Sequence, residues 1–267
     1  MHSTTNKHII AHNHTPIKMQ SHPYYPQDAV IPGFVANKTP LIELLCIFGN
    51  LVSTIIFFTY VCCSVIKPPI PSFDQFATAW FALCGVLHLT FEGFFILYKE
   101  TIASKQGLFG QLWKEYALSD SRYLTQDVFT ISVETITVFC WGPLCLITAS
   151  SILSRSPSRH FYQVIVCTAH LYGVALYYFT NWVDFSMNGI SYSRPETLYY
   201  WVYYVGFNMP WVVVPLILLV QSWSSVAAGF KALKKQELEE QQELEKKQEL
   251  AKKKELEKKQ EEEKKKK

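Results

Sequence analysis

Apolar and polar positions alternate in blocks along this chain. Five apolar stretches are each long enough to cross about 30 Å of hydrocarbon at about 1.5 Å per helical residue. They run Leu41 to Ile66, Phe76 to Tyr98, Val128 to Leu153, Phe161 to Trp182 and Leu198 to Trp223. The first stops at Lys67-Pro68-Pro69, where ring sterics and missing amide donors end a helix. Aromatic residues crowd the ends of the last two, as in Tyr177-Tyr178-Phe179 and Tyr199-Tyr200-Trp201, which predicts rings at the headgroup level. Irregular backbone cannot face lipid, so the pattern predicts an all-α, polytopic integral membrane protein, a bundle of five transmembrane helices. An odd number of crossings puts the two ends of the chain on opposite sides. The internal loops carry lysine and arginine on both sides; Lys231, Lys234 and Lys235, just after the fifth span, predict a cytoplasmic C-terminal tail.

The flanks differ from this membrane domain, residues 41–230. Residues 1–40 read as a flexible polar leader with five histidines (His2, His8, His12, His14, His22) and without the pattern of a signal peptide. A disordered histidine-rich tract is the expectation there rather than a defined metal site. Residues 231–267 hold 14 of the 25 basic and 11 of the 22 acidic side chains. They repeat a hexad with Leu238, Leu244, Leu250 and Leu256 six apart. A step of six turns about 600° around a helix, so these leucines form no seam and a coiled coil is excluded. A solvated, charge-paired helix fits better, and Lys264 to Lys267 also fit a dilysine retrieval signal.

Removing the flanks changes the picture of charge. The middle keeps about one charged residue in ten, against about one in four in soluble domains, and its net charge is −2. A water-soluble globular domain is excluded, and so is a nucleic-acid partner. The seven cysteines (Cys46, Cys62, Cys63, Cys84, Cys140, Cys145, Cys167) lie in apolar runs without a CxxC pair. They read as small buried hydrophobes rather than a disulfide framework or a zinc site.

Ionisable groups at bilayer depth are costly and therefore informative. His88 and Glu92 are four apart on the second span, Thr130, Glu134 and Thr137 share a face of the third, and Asn208 and Trp211 are three apart on the fifth. A single intramembrane carboxyl can serve as hydrogen-bonding glue between helices. Two carboxyls and an imidazole exceed that need and point to proton handling or cation binding. His170, in span four, reads as a bonded core histidine, and Trp211 taken alone as packing. The charged, aromatic segment Trp113 to Tyr123 is either an interfacial anchor or a cap carrying Asp120, Arg122 and Tyr123.

Four separated blocks, WFALCGVLHLTFEGFF (80–95), QLWKEYALSDSRY (111–123), VETITVFCWGPL (133–144) and FNMPW (207–211), resemble the EXPERA family of emopamil-binding sterol isomerases. The resemblance covers about residues 40–225 and leaves out leader and tail. It implies a five-helix enzyme of the endoplasmic-reticulum membrane that moves a sterol double bond from the 8(9) to the 7(8) position, with no cofactor and no metal. It implies His88, Glu92 and Glu134 as catalytic residues. It implies Thr137, Asn208 and Trp211, with Asp120, Arg122 and Tyr123, as groups that bind substrate or stabilise a cation. The family's Tyr-Gly-Asp in span four is Tyr172-Gly173-Val174 here. The implied partners are a Δ8-sterol substrate, lipophilic amines as inhibitors, the lipid bilayer and a second copy of the chain in a homodimer. A non-catalytic binder of sterols or cationic amphiphiles within the same family is the alternative. A proton or amine transporter ranks below both, since the chain has no inverted repeats or pairs of broken helices.

Overall fold

A computed structural model describes residues 21–265, and every regular element among them is helical. Helix α1 (Leu41–Val65) begins after Pro40 and stops where Ile66 turns extended ahead of the two prolines. Helix α2 (Ser72–Leu87) passes through a π-helical turn, His88–Glu92, into α3 (Gly93–Tyr98), so the second span is one continuous rod. Helix α4 (Leu108–Tyr116) is short and belongs to the loop side. Helix α5 (Val128–Ile136) is capped by Asp127, whose carboxylate accepts from Thr130 N at 2.8 Å. A second π turn, Thr137–Trp141, joins it to α6 (Gly142–Leu153). Helix α7 (Arg159–Asn188) ends at Gly189, whose positive φ of 69° reverses the chain. A third π segment, Leu198–Val205, and a 3₁₀ turn, Gly206–Asn208, lead into α8 (Pro210–Lys265).

Four of these stretches are long and apolar enough to cross a membrane: Leu41–Val65, Ser72–Tyr98, Val128–Leu153 and the rod that starts at Leu198. The expected fourth span, Phe161 to Trp182, lies within α7 and does not reach that apolarity, carrying Gln163, His170, Asn181 and several tyrosines. Helix α7 packs nonetheless along α6 and α8. Helix α1 lies against α2 and buries only Leu44 and Cys63, leaving a wide apolar surface such as a lipid-facing helix presents.

Two cores are stacked along the bundle. On the tail side Ala77, Trp80, Phe81, Cys84, Cys145, Ala149, Cys167 and Leu218 pack tightly. On the opposite side an aromatic core gathers Phe95, Trp113, Tyr123, Tyr177 and Tyr204. Of the rings expected at the headgroups, Tyr177 is interior, its centroid 5.0 Å from that of buried Tyr204, whereas Phe179 and Trp201 face outward.

The leader departs from the expectation of flexibility. Residues 1–20 lie outside the described residues, but 21–40 are packed onto the loop side. Tyr24 is buried and its hydroxyl donates to Lys114 O at 3.0 Å, Asn37 donates to Gln111 O at 2.9 Å, and the Lys114 ammonium donates to Val35 O at 2.7 Å. Apolar Tyr24, Ile31 and Phe34, spaced through a polar stretch, supply the packing. At the other end no break separates the last span from the tail. Helix α8 runs 56 residues, about 84 Å at about 1.5 Å per residue, and its charged part is solvent-exposed with Lys235–Glu239 and Glu243–Lys247 pairs at 3.6 and 3.9 Å. Of the cysteines, Cys63, Cys84, Cys145 and Cys167 are buried, while Cys46, Cys62 and Cys140 face outward, contrary to the reading of all seven as interior.

Candidate active site

The site lies where the two cores meet. The π turns His88–Glu92 and Thr137–Trp141 pack against each other there. Such turns widen the helix and free carbonyls, and they concentrate at functional sites. Two glycines let the helices approach this closely. A Cβ on Gly142 would come within 3.1 Å of Leu89 and 3.2 Å of His88 Cβ, and one on Gly85 would run into the Leu146 side chain at 2.6 Å.

His88 is held from two sides. Its Nδ1 lies 3.2 Å from Glu92 Oε1, and its Nε2 lies 3.2 Å from Nε2 of His170 on α7. Only one proton fits between two facing nitrogens. With Nδ1–H donating to Glu92 Oε1, His88 Nε2 is an acceptor and His170 Nε2–H the donor. The second oxygen of Glu92, Oε2, is buried and has no protein partner. The imidazole thus sits behind the carboxyl and aims it, leaving one carboxyl oxygen free.

Glu134 is held from the loop side. The hydroxyl of Tyr123 donates to its Oε1 at 3.0 Å. Burial and the neighbouring Glu134 push the Tyr123 hydroxyl well above the usual phenol range, so it remains a donor. Tyr123 is wedged among Trp113, Phe95 and Tyr116, with ring centroids at 4.7, 5.3 and 5.4 Å. Trp113 in turn stacks on Phe91 at 4.4 Å and donates its indole N–H to the Phe91 carbonyl of the first π turn at 2.9 Å. From the fifth span, Asn208 Nδ2 donates to the Tyr116 hydroxyl at 3.0 Å and to Tyr204 O at 2.7 Å. Burial raises the Tyr116 hydroxyl above the usual range as well.

Asp120 and Arg122 do not face the carboxyls. They form a buried pair, with Nη2 to Oδ2 at 2.6 Å and Nε to Oδ1 at 3.0 Å. The guanidinium also donates to Thr180 Oγ1 at 3.0 Å and lies 5.2 Å from the Tyr177 ring centroid. Burial alone would lower the arginine's pKa, but the Asp120 carboxylate outweighs it and the net direction is up. The pair therefore buttresses the segment that carries Tyr123, so the Trp113–Tyr123 stretch is a plug between span ends with Tyr123 as its tip.

Thr137 opens the second π turn and Trp211 opens α8. Neither hydrogen-bonds to a carboxyl, and Trp211 packs against Trp80 at 5.5 Å in the tail-side core. Val174, the departure in span four, is half-buried. The sequence reading missed Tyr116 as the link from Asn208 to Tyr123 and missed His170 as the second partner of His88. Tyr116 lies inside the quoted block 111–123, and no spacing rule relates it to position 208. A separate cleft of about 750 Å³ near the tail, lined in part by Phe73, Asp74, Arg159, His160 and Gln221, shares none of the site residues.

Comparison with known proteins follows the same segments. The family model EXPERA (expanded EBP superfamily) matches residues 108–222. A 3-beta-hydroxysteroid-Delta(8),Delta(7)-isomerase from Cavia porcellus is 35% identical over 205 residues, 75% of this chain and 87% of the relative. One of the same name from Mus musculus is 34% identical over 75% of this chain and 86% of the relative. A probable 3-beta-hydroxysteroid-Delta(8),Delta(7)-isomerase from Oryza sativa subsp. japonica is 29% identical over 80% of this chain and 95% of the relative.

Proposed function

The chain belongs to the EXPERA family, and from that premise we propose that it is a 3β-hydroxysteroid Δ8-Δ7 isomerase whose reaction runs between Glu92 and Glu134. Shifting the double bond requires a proton delivered to C9, a tertiary cation at C8 and loss of a proton from C7, where the C–H electron pair becomes the new C7=C8 bond. Such a reaction needs an acid, a base and something that tolerates the cation between them. Two carboxyls in a low-dielectric interior do not both ionise easily, which keeps one protonated and one charged. Glu92, aimed by His88 and with a free oxygen, is the proton donor. Glu134, steadied by the Tyr123 hydroxyl, stabilises the cation and takes the proton from C7. Asn208 acts through Tyr116 and Tyr123 as a positioning residue, and Asp120–Arg122 braces the segment. Thr137 lines the third-span face beside Glu134, and Trp211 offers an electron-rich ring toward the cation from the tail-side core.

The observation that carries this reading is that the two span carboxyls are held separately, one by an imidazole and the other by a phenol. Lipophilic amines should compete with the sterol, because their ammonium mimics the C8 cation. Helix α7 is read as the fourth of five crossings, which puts the exposed tail on the cytoplasmic face of the endoplasmic reticulum; a homodimer is part of the same reading. The test is to incubate membranes holding the full chain with the Δ8-sterol zymostenol in heavy water. Lathosterol labelled with deuterium at C9, and lost in Glu92→Gln, supports the isomerase. Unlabelled, unchanged sterol together with tight amine binding would overturn it in favour of a binding protein.

A further inference from the structure

The isomerisation makes no use of three buried groups around His88: Cys84 on α2, Cys145 on α6 and His170 on α7. Cys84 Sγ and the imidazole nitrogens of His88 and His170 lie within 4.8 Å of one another, and all three residues are buried. Cys145 Sγ is 3.8 Å from His170 Nε2 and is fully buried. Cys84, His88 and His170 approach the spacing of a coordination shell, and Cys145 borders that group of three through His170. Two imidazole nitrogens at about 2.0–2.1 Å from a tetrahedral zinc are about 3.3 Å apart, and a sulfur at about 2.3 Å lies about 3.6 Å from such a nitrogen. The His88–His170 separation is 3.2 Å.

We infer that Cys84, His88 and His170, completed by Cys145, form a binding site for a thiophilic divalent cation of the zinc class. Two thiolates and two neutral imidazoles around a dication sum to zero charge, which suits the interior of a membrane bundle. On binding, the two thiol protons leave to water and the sulfurs take up the metal. The outer shell is already in place on one side. His88 Nδ1 faces the Glu92 carboxylate, the carboxylate–histidine arrangement that fixes the tautomer of a metal-bound imidazole. His170 Nδ1, in contrast, is buried without a protein partner, which makes that ligand the weaker hold. The three supporting helices come from separate parts of the chain, so no local CxxC pattern announces the site.

Occupancy has a consequence that rests on the isomerase reading above. The Nε2 lone pair of His88 is spent on the metal, the imidazole is locked, and the pair it forms with Glu92 can no longer pass a proton. The metal is then a reversible inhibitor.

The test uses the full chain in detergent with its thiols reduced, and Co²⁺ as the spectroscopic probe. Expected is one Co²⁺ per chain showing sulfur-to-cobalt charge transfer and the visible bands of a tetrahedral ion, displaced by Zn²⁺. The leader histidines can bind Co²⁺ without sulfur and so do not mimic this signal. Cys84→Ser and Cys145→Ser should fold normally by gel filtration and circular dichroism and weaken or abolish the sulfur band. His170→Gln provides an independent third loss. No sulfur band in the wild type, or the same band in the Cys84→Ser/Cys145→Ser double variant, overturns the site. In a parallel assay Zn²⁺ should lower turnover of the wild type at least tenfold, restored by chelator, while the double variant keeps its rate in Zn²⁺. Full turnover by a chain shown spectroscopically to hold the metal overturns the inhibitory role. A wild type that binds Co²⁺ as described but never isomerises sterol leaves the site standing and removes the isomerase reading instead.

Discussion

Tyr123 donates its hydroxyl to Glu134 at 3.0 Å although the two residues belong to different parts of the architecture, a loop-side plug and the third span. The bond ties the position of a membrane carboxyl to the packing of a segment outside the span. Everything that anchors that segment therefore bears on Glu134: the Trp113 stack, the Asp120–Arg122 pair and the Asn208–Tyr116 contact.

Tyr123→Phe keeps the ring in its aromatic wedge and deletes the donor. A hydrogen bond to a charged group contributes about 1.5–3 kcal/mol, so kcat should fall about 10- to 100-fold. The pH profile should shift along with it, because Glu134 loses the phenol. An unchanged profile with a lower melting temperature would make Tyr123 merely structural.

Glu92→Gln preserves shape and removes the exchangeable proton. Turnover should drop about 100- to 10,000-fold, the usual span of general acid catalysis, with folding intact by thermal melt. A variant that keeps near-full rate would take Glu92 out of the mechanism.

Asp120→Ala leaves the Arg122 charge buried without its partner. A loss of about 3–5 kcal/mol of stability is expected, read as a drop in the unfolding midpoint in detergent. Arg122→Met added to it should recover part of that loss, since the stranded charge is gone.

Lys114 is buried beneath the packed leader and its ammonium is pushed down to about pKa 8 by desolvation. In the unfolded chain it holds its proton up to the ordinary lysine range. Between about pH 8 and 10 the unfolded state thus binds more protons, and stability rises with pH until the buried tyrosines of the loop side begin to titrate in the unfolded chain. The melting temperature should climb over that window, and Lys114→Met should flatten the climb.

Deleting residues 232–267 removes the stretch of α8 whose described side chains are all solvent-exposed. The catalytic rate constant should be unchanged in detergent while the location of the protein in cells should shift as the lysine-rich end is lost. A large loss of rate would couple the tail to the site.

Much of the site could be read from spacing because intramembrane charge is rare: His88, Glu92, Glu134 and Asn208 stand out against an apolar background. What spacing could not reveal is tertiary. His170 meets His88 across 82 positions, Tyr116 meets Asn208 across 92, and neither residue is unusual in its own segment. The span through α7 is legible by its length, yet it is less apolar than its neighbours because Gln163, His170, Tyr177 and Asn181 face partners rather than lipid. The leader misled because polarity was taken for looseness. Three apolar anchors, Tyr24, Ile31 and Phe34, are enough to seat it on a surface built by other segments. The contact of Trp211 with Trp80, ring centroids 5.5 Å apart, is likewise tertiary and no spacing rule announces it.

A π turn closes its hydrogen bonds one residue later than an α turn, so each one stores a single surplus residue. In the second span this surplus shifts the sequence periodicity by one residue between two halves that serve different cores, Trp80, Phe81 and Cys84 below and Phe95 above. Removing one residue from His88–Glu92 would restore a regular α-helix that still crosses the bilayer with its two halves facing nearly as before, because the wide turn absorbs the extra residue, but the turn that presents His88 and Glu92 would be lost. A one-residue deletion in this turn should therefore spare insertion and the packing of both cores and strike the chemistry lodged between them.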